Sequence, residues 1–398
     1  SPMEVLSRAM VDGAGGAVTL ALGLVGVMTF FLGLMKVAEA GGLLNVIART
    51  VRPLMVRLFP DVPADHPAMG AMIMNLSANA LGLGNAATPF GIRAMQQLDR
   101  LNAEKGTATN AMVLFLAINT SSVTLLPTGV VALRAAAGSL DPAGIVSTTL
   151  FATICSTTVA ILAAKFAMRF FPGGHSVPNL PDAAPAAEAA EAPIAEERGE
   201  YPLWVSVLAL GFIAAMVPAT IVWGKAIAPW IVPGLAMAFL AYGLAKRVPV
   251  YEAFVEGAKD GFQVAVKIIP YLVAILTAVA MFRASGAMEL LITPLGAITA
   301  HFGLPAEALP MALMRPLSGS GAYGILAAVI QDPAIGPDSL TGYIVSTLQG
   351  SSETTFYVLA VYFGAVQVKR IRHALWAALL ADLAGVIAAT FICNLMYG

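Results

Sequence analysis

Long apolar runs, separated by short polar segments, dominate the chain. A run of about 20 mostly apolar residues is long enough to cross a lipid bilayer as an α-helix. The runs that reach or approach this length are residues 13–35, 143–164, 201–224, 226–245, 268–282 and 373–398. This pattern predicts an all-α polytopic protein.

Four further apolar runs are interrupted by glycine, serine, threonine, asparagine and proline. They are residues 67–92 (PAMGAMIMNLSANALGLGNAATPFGI), 106–133, 304–330 and roughly 338–368. Irregular backbone at membrane depth is tolerated only where protein covers it or where it lines a water-filled cavity. These runs therefore predict broken or re-entrant helices, and they are where we look for a binding site.

Composition supports a membrane location. The chain is 58% hydrophobic and 11% charged, with a mean hydropathy of +0.81. Soluble domains carry about 25% charged residues. The net charge of −1 gives no indication of a nucleic-acid partner, so the expected surroundings are lipid.

A change of character divides the chain in two. The stretch between residues 172 and 200 is rich in proline, alanine and glutamate, which is typical of a disordered linker. We therefore predict a first membrane repeat at 1–171, a linker at 172–200 and a second membrane repeat at 201–398.

The two halves contain matching blocks in the same order. VDGAGGAVTLALGL at 11–24 matches VEGAKDGFQVAVKI at 255–268, and NTSSVTLLP at 119–127 matches QGSSETTFY at 349–357. Pairing NLSANALGLG with PLSGSGAYGI sets Met74 opposite Arg315, and the later block sets Val123 opposite Glu353. Paired repeats with broken helices in corresponding places indicate the site of a secondary transporter.

Loop charges suggest how the repeats are oriented. Basic residues flank the first broken run, and acidic residues flank its counterpart at 304–330. Basic loops remain cytoplasmic, so these two segments are predicted to enter the membrane from opposite faces. We expect two inverted-topology repeats with eight crossings and a cytoplasmic linker. The alternative, in which the NTSS and QGSSE runs are hairpins, changes the number of crossings by two.

Two charges lie deep in apolar surroundings. Arg315 begins RPLSGSG, and Glu353 lies within QGSSETT. An ionisable group at membrane depth costs several kcal/mol and usually marks a functional site with a partner. Either the two residues pair with each other as a structural link, or Arg315 meets a solute anion while Glu353 binds a coupling Na⁺ or H⁺.

The candidate substrate-binding residues are the polar positions of the broken runs. The first repeat contributes Asn75, Ser77, Asn79, Asn85, Asn119, Thr120, Ser121 and Ser122. The second repeat contributes Arg315, Ser318, Ser320, Gln349, Ser351, Ser352, Glu353 and Thr354. The alternative is that small residues serve helix packing and that hydroxyls bond back to their own helix.

No constellation of catalytic residues is recognisable. The chain has no GxxxxGK[ST] or HExxH motif, and no serine with a base in an appropriate context. We expect neither an enzyme nor a metal site, and no cofactor beyond a coupling Na⁺ or H⁺.

Several long blocks resemble known families. FLGLMKVAEAGGLL, NLSANALGLGNAATPFGIRAMQQLDRLN and LAINTSSVTLLPT resemble the bacterial spore maturation protein A family. VPVYEAFVEGAKDGF, RPLSGSGAYGI and DSLTGYIVSTLQGSSETTFYVLAVYFGAV resemble the spore maturation protein B family. The chain thus looks like an A–B fusion, joined at the linker.

Those families belong to the nucleoside recognition, or gate-domain, group. That group is similar to concentrative nucleoside transporters, which implies inverted repeats with re-entrant helices. In such transporters a Gln-Thr-Glu pattern contributes to substrate binding, and Gln349, Ser352, Glu353 and Thr354 loosely resemble it. The family name comes from a sporulation phenotype and identifies no solute.

The expected function is transport. We predict a multi-pass protein of the bacterial inner membrane, a secondary transporter or permease for a nucleoside-like solute or small organic anion. It would work by alternating access around a midplane site between the repeats. The alternative is a non-transporting scaffold or regulator of a cell-envelope process, which a dry Arg315–Glu353 pair would favour. A homo-oligomer is compatible with the sequence.

Overall fold

The computed structural model describes residues 2–82, 84–121, 123–171, 202–287, 290, 294–296 and 299–398. Within these ranges the regular elements are helices, and the sole strand-like feature is an isolated bridge between Thr107 and Arg370. The predicted all-α class is confirmed. The predicted linker at 172–200 lies outside the described residues.

The first repeat consists of seven helices. They are α1 (Pro2–Ala40), α2 (Leu43–Leu58), α3 (Pro67–Ala80), α4 (Gly84–Arg100), α5 (Asn110–Ser121), α6 (Thr128–Ala136) and α7 (Ile145–Ala167). Helices α3 and α4 pack against each other as a hairpin. With 14 residues, α3 is about 21 Å long, too short to cross the roughly 30 Å apolar layer. The predicted re-entrant segment is therefore a hairpin of two short helices.

A long helix and the second repeat follow. The elements are α8 (Leu203–Ala245), α9 (Val250–Ala284), α10 (Leu309–Met314), α11 (Gly319–Ile330), α12 (Leu340–Ser351), α13 (Thr355–Ala365) and α14 (Ala374–Tyr397). Helices α10 and α11 form the second hairpin. The NTSS and QGSSE runs are not hairpins. Instead, each run includes the break between two short helices, which are α5 and α6 in the first repeat and α12 and α13 in the second.

Three helices in the described part of the chain are long and apolar enough to cross a membrane. They are Met3–Ala40, Ile145–Phe170 and Ala374–Tyr397. Together with the four half-length helices around the two breaks, they give the molecule the architecture of a membrane protein.

Helix α8 differs from the prediction. The runs 201–224 and 226–245 were expected to be separate spans, but Leu203–Ala245 is one helix of 43 residues. Lys225, the one charged residue between the runs, does not interrupt helical hydrogen bonding. At 1.5 Å per residue this helix is about 65 Å long, roughly twice the apolar layer. The number of eight crossings therefore stays a prediction.

The matching helices of the two repeats pack antiparallel. Met28 of α1 lies beside Gly261 of α9, and Leu32 lies beside Gly257. A Cβ at Gly257 would come within 2.5 Å of the Leu32 carbonyl oxygen, so the two backbones meet almost directly. Small residues four apart allow this close approach between membrane helices. Because α1 and α9 carry the matching sequence blocks, their antiparallel contact supplies the inverted topology.

A second pair repeats this arrangement. The Ser156 hydroxyl of α7 donates to the Ala381 carbonyl of α14 at 2.9 Å. At the other end of the pair, the Tyr397 hydroxyl donates to the Gly144 carbonyl at 2.9 Å. Helices α7 and α14 therefore also run antiparallel, and the fold has the predicted inverted-repeat form.

The helix bounds do not decide the pairing of the hairpins. Helix α3 ends at Ala80 and α10 ends at Met314, so Leu81 follows the first helix as Arg315 follows the second. The helix starts, Pro67 and Leu309, instead agree with the pairing of Met74 with Arg315 to within one residue. That pairing therefore stays a prediction.

Candidate solute-binding site

Each hairpin tip contacts the helix break of its own repeat. The backbone N–H of Leu125 in the first break donates to the Ala80 carbonyl at 2.9 Å. In the second repeat the N–H of Phe356 donates to the Pro316 carbonyl at 3.1 Å. Backbone groups freed where helices stop need partners, and here hairpin and break supply them to each other.

Glycines permit this contact. Gly82 has a φ of +74°, and a Cβ there would lie 2.5 Å from the Leu126 carbonyl oxygen. A Cβ at Gly319 would lie 2.7 Å from the Thr354 hydroxyl oxygen. Both tips therefore press against a break at a distance that a larger residue would not allow.

The two breaks also contact each other. The backbone N–H of Glu353 donates to the carbonyl of Thr120 at 2.8 Å. Thr120 lies in the last turn of α5, so one repeat supplies the acceptor and the other the donor. This hydrogen bond brings the interrupted segments of both repeats to one place.

A cavity of about 740 Å³ opens beside these breaks. Its walls come from both repeats and include both hairpin tips, both breaks and the facing sides of α1 and α9. Among the predicted site residues, its lining includes Asn79, Arg315, Gln349, Ser352, Glu353 and Thr354. The cavity extends along α1 from Met28 to Glu39, a distance of about 17 Å along the helix.

Arg315 joins the second hairpin to the second break. Its side chain is 6% exposed. One terminal nitrogen donates to the Thr354 hydroxyl at 3.0 Å, and the other donates to the Ser352 carbonyl. The guanidinium thus replaces helical hydrogen bonding where the backbone of α12 stops.

Glu353 does not pair with Arg315. Among the described residues, no basic side chain forms an ion pair with the Glu353 carboxylate. The residue is partly exposed and lines the cavity. Of the two alternatives for these charges, the structure does not show the structural link between them, and the binding of a solute anion and a coupling cation stays a prediction.

Three asparagines and a tyrosine form a hydrogen-bonded chain behind the first hairpin. Asn119 donates its amide hydrogen to the Phe115 carbonyl at 2.9 Å, which leaves its oxygen as an acceptor. That oxygen accepts from Asn79 at 3.1 Å and from the Tyr362 hydroxyl at 3.4 Å. Asn75 donates to Tyr362 at 3.1 Å. Asn79 reaches the cavity, while Asn75 and Asn119 hold it in place from behind.

Several predicted hydroxyls bond to their own helix. Ser77 donates to the Ile73 carbonyl at 2.7 Å, and Thr120 donates to the Ala117 carbonyl at 2.9 Å. Ser121 also donates to Ala117, at 3.0 Å. For these residues the geometry is the back-bonding alternative, and none of them lines the cavity.

The remaining predicted residues have varied positions. Ser318 caps α11 by accepting from the Gly321 N–H at 3.0 Å. Ser351 is buried, and its hydroxyl has no hydrogen-bond partner among the described residues. Ser320 is half-buried near the start of α11. Ser122 and the side chain of Asn85 lie outside the described part of the chain.

Sequence reasoning missed the charged wall of the cavity. Lys36, Glu39 and Asp260 line it, and none of them is among the residues predicted from the sequence. The Lys36 ammonium lies 3.6 Å from the Glu39 carboxylate and 3.5 Å from that of Glu256. The spacing of Gly257, Asp260 and Val264 puts them on one helix face, a signal that could have identified this wall.

The chain is similar in sequence to two proteins of known family. Spore maturation protein A of Bacillus subtilis (strain 168) is 47% identical over 164 residues, which cover 41% of this chain and 84% of that protein. Spore maturation protein B of the same organism is 47% identical over 167 residues, covering 42% of this chain and 93% of that protein. This chain belongs to the spore maturation protein A and B family. The resemblance seen in the sequence blocks is confirmed.

This spore maturation family member also matches a family model and two solved structures. A family model described as Gate, nucleoside recognition, matches residues 21–137. Two solved structures of a CNTnw variant, in states called intermediate 1 and intermediate 2, give TM-scores of 0.42 and 0.37 at 16% and 14% identity. They cover 98% and 99% of this chain, and 79% and 84% of those chains.

One buried carboxyl lies next to the second break. Asp382 of α14 is 9% exposed and accepts a hydrogen bond from the Thr355 hydroxyl at 2.6 Å. Thr355 is the first residue of α13, where a helix amino terminus favours negative charge. Within the described ranges no group of three or more His, Cys, Asp or Glu residues could hold a metal ion.

Proposed function

We propose that this protein is a permease of the bacterial inner membrane that moves a small polar solute by alternating access. The observation that carries the proposal is the cavity of about 740 Å³, with both hairpin tips and both helix breaks in its walls. Ligand pockets of small molecules commonly measure about 300–1,000 Å³. The inverted repeats supply two related arrangements of the same parts, which alternating access requires.

The nature of the solute is part of this proposal. The matching Gate model is described by nucleoside recognition, which favours a nucleoside-like, nitrogenous solute. The amide and carboxylate groups of Asn79, Gln349 and Glu353 suit such a compound. The small organic anion has less support, because the terminal nitrogens of Arg315 already donate to Thr354 and Ser352. We propose no catalysed reaction.

A coupling ion is compatible with the same groups. Glu353 lines the cavity, and Asp382 lies behind the adjacent break. The buried Asp382 carboxyl group is suited to carry H⁺, and Glu353 with nearby carbonyl oxygens is suited to Na⁺. We therefore keep H⁺ or Na⁺ coupling within the proposal.

The scaffold alternative is less well supported. It predicted a dry interior in which Arg315 and Glu353 pair with each other. A wide cavity at the repeat interface, and a Glu353 carboxylate with no ion pair among the described residues, favour transport instead.

The test is solute binding followed by uptake. Purified full-length protein is screened by thermal shift against nucleosides, amino acids and aromatic dicarboxylates, and the best compound is assayed for uptake into proteoliposomes. Glu353→Gln is expected to reduce uptake at least tenfold, while Glu307→Gln, a carboxyl outside the cavity lining, leaves it unchanged. If no compound stabilises the protein, or if both variants transport like the parent, the proposal fails.

A further inference from the structure

The charges around the cavity do not balance. Glu39, Asp260 and Glu353 line it, and Glu256 is linked to it through Lys36. The cations among the described residues of this wall are Lys36 and Arg315. Three carboxylates and two cations therefore line the cavity, and Lys36 is already shared between Glu39 and Glu256, which lies outside the lining. The imbalance favours a positively charged occupant.

Arg315 does not satisfy Glu353. Both terminal nitrogens of Arg315 donate to the second break, at Thr354 and Ser352. The Arg315 guanidinium places a positive charge in the cavity wall, but it donates no hydrogen bond to the Glu353 carboxylate. The carboxylate oxygens are therefore available to a ligand.

A second observation concerns Gln349, which lies in the last turn of α12, four residues before Glu353. The side chain is 5% exposed, lines the cavity and has an oxygen, Oε1, with no hydrogen-bond partner among the described residues. A buried acceptor without a hydrogen bond is destabilising, because the hydration that it loses on burial is not replaced. A ligand that donates to Oε1 would recover this cost.

Asn79 presents a third acceptor from the opposite repeat. Its amide nitrogen donates to Asn119, so the amide oxygen is the polar atom that remains for the cavity. The three acceptors are a carboxylate and two amide oxygens. An ammonium group has three donors, a positive charge and no acceptor, and it matches this set.

We propose that the solute carries a protonated amine, and that its ammonium group binds to Glu353, Gln349 and Asn79. This inference rests on the proposed function, because it assigns the chemical class of the solute of the same site. Met28, Leu32, Leu126 and Val264 line the same cavity and provide an apolar surface for the rest of the molecule. The expected solute is therefore an amine with an apolar or aromatic portion.

Three probes with one skeleton and different charges test this inference. Phenethylamine is positive at pH 7, 2-phenylethanol is neutral and phenylacetate is negative. Binding of each to the purified full-length protein is measured by calorimetry and by thermal shift, in a buffer without other amines. We expect phenethylamine to bind at least tenfold more tightly than 2-phenylethanol, and phenylacetate more weakly than either.

Two variants locate the binding. Glu353→Gln keeps the shape and removes the charge, and it is expected to weaken phenethylamine binding at least tenfold. Gln349→Met keeps the side-chain length and removes the acceptor, and it is expected to weaken binding several-fold. Glu307→Gln is the matched control and should bind like the parent. Having two variants keeps the test valid if one of them fails to fold.

The opposite outcomes are distinct. Equal binding of the amine and the alcohol, tighter binding of phenylacetate, or full amine affinity in both variants would overturn the inference. Displacement of the amine by NaCl, but not by the larger cation of choline chloride, would indicate an inorganic cation site and would also overturn it. If no probe binds while a nucleoside is still taken up by proteoliposomes, the inference fails and the proposed function stands.

Discussion

At the residue scale, Arg315 shows how a buried charge can be structural and still shape a site. Its planar guanidinium holds the Thr354 hydroxyl and the Ser352 carbonyl at once, and so fixes the wall in which Glu353 lies. Lysine carries the same charge but lacks the rigid fork that bridges two acceptors. The geometry of the donors, in addition to the charge, is what this position requires.

Arg315→Lys is therefore expected to lower stability. Hydrogen bonds to charged groups contribute about 1.5–3 kcal/mol each, and one of the two should be lost. The apparent melting temperature in detergent should fall by several degrees, with weaker solute binding. Arg100→Lys, at an exposed position at the end of α4, is the matched control and should melt like the parent. An unchanged melting temperature in Arg315→Lys would show that the two hydrogen bonds contribute nothing.

Tyr362 is a second buried residue with a structural role, and that role depends on its hydroxyl oxygen. It is 5% exposed, and its hydroxyl links Asn75 to Asn119 behind the first hairpin. Tyr362→Phe removes the acceptor of one buried Asn75 amide hydrogen, at a cost of about 1–3 kcal/mol, while the bond from Asn75 to the Ala87 carbonyl remains. We expect a lower apparent melting temperature and weaker solute binding. Tyr251→Phe, at a position 76% exposed, should change neither, and a similar effect in both variants would contradict the role of Tyr362.

At the element scale, the hairpin tips and the breaks depend on close approach. Gly82 and Gly336 have the same φ of +74°, but a Cβ at Gly336 would meet nothing within 4 Å. The pair therefore separates backbone strain from crowding. Alanine in the left-handed region costs roughly 1–2 kcal/mol at either position.

Gly82→Ala should consequently be more destabilising than Gly336→Ala. The extra cost comes from the Leu126 carbonyl oxygen, 2.5 Å from the new Cβ. We expect a larger fall in the melting temperature and a loss of uptake for Gly82→Ala alone. Equal effects of the two substitutions would mean that the hairpin tip can move away from the break at no cost.

Two arginines, one after each helix break, form ion pairs with the opposite repeat. Arg134, after the first break, is fully buried and donates to the Asp338 carboxylate at 3.0 Å and to the Ser346 hydroxyl at 3.3 Å, both in the second repeat. Arg370, after the second break, pairs with Glu104 of the first repeat at 3.3 Å. The arrangement is symmetric, but the environment is not, because the Arg370 and Glu104 side chains are 77% and 59% exposed.

The effect of removing each arginine should therefore differ. Arg134 is fully buried and Asp338 is 31% exposed, so this pair should contribute less than the about 3–5 kcal/mol lost on breaking a fully buried pair and more than the about 1 kcal/mol or less of exposed pairs. Arg134→Gln should reduce yield and lower the melting temperature strongly, and Arg370→Gln should have little effect. A double-mutant cycle with Asp338→Asn measures the coupling, and a coupling near zero would argue against the ion pair.

At the scale of the whole molecule, the contacts between repeats are extensive enough to hold separate chains together. The antiparallel pairs α1–α9 and α7–α14 each bring one helix from either side of the linker. Spore maturation proteins A and B are separate relatives that each match about two-fifths of this chain. We therefore expect the two halves to fold and associate without a covalent connection between them.

Residues 1–171 and 201–398, produced as two chains in one cell, should therefore co-purify as a complex. Either half alone leaves the backbone-contacting face of α1 or α9 uncovered and is expected to aggregate. Affinity capture of one tagged half, followed by size-exclusion chromatography, checks this expectation. Two halves that are each monodisperse alone, with no complex when mixed during synthesis, would contradict it.

Much of this architecture was accessible from the sequence because its signals are local. Glycine and polar residues inside apolar runs marked both hairpins and both breaks, and the match of 11–24 with 255–268 identified α1 and α9 as equivalent. Within the site, Arg315, Glu353 and Asn79 were predicted, and they line one cavity.

The errors concern features that tertiary contacts decide. The residue-by-residue pairing of the hairpins depends on where their helices begin and end, which similar composition does not reveal. Tyr362 lies in an apolar run, where an aromatic residue is typical of the core, so its hydrogen bonds to Asn75 and Asn119 could not be predicted. The continuity of α8 depends on the absence of a turn at Gly224, a residue type that also occurs within membrane helices.

The hydrogen bond from the Glu353 backbone to the Thr120 carbonyl has a practical consequence. The backbone of Glu353, whose carboxylate is proposed to bind the ligand, is hydrogen-bonded to the other repeat. A displacement of Glu353 on binding would therefore also displace the end of α5. Neither partner atom belongs to a side chain. Alanine scanning would therefore pass over this connection without a signal, and an ester bond in place of the Ser352–Glu353 amide would be needed to remove its donor.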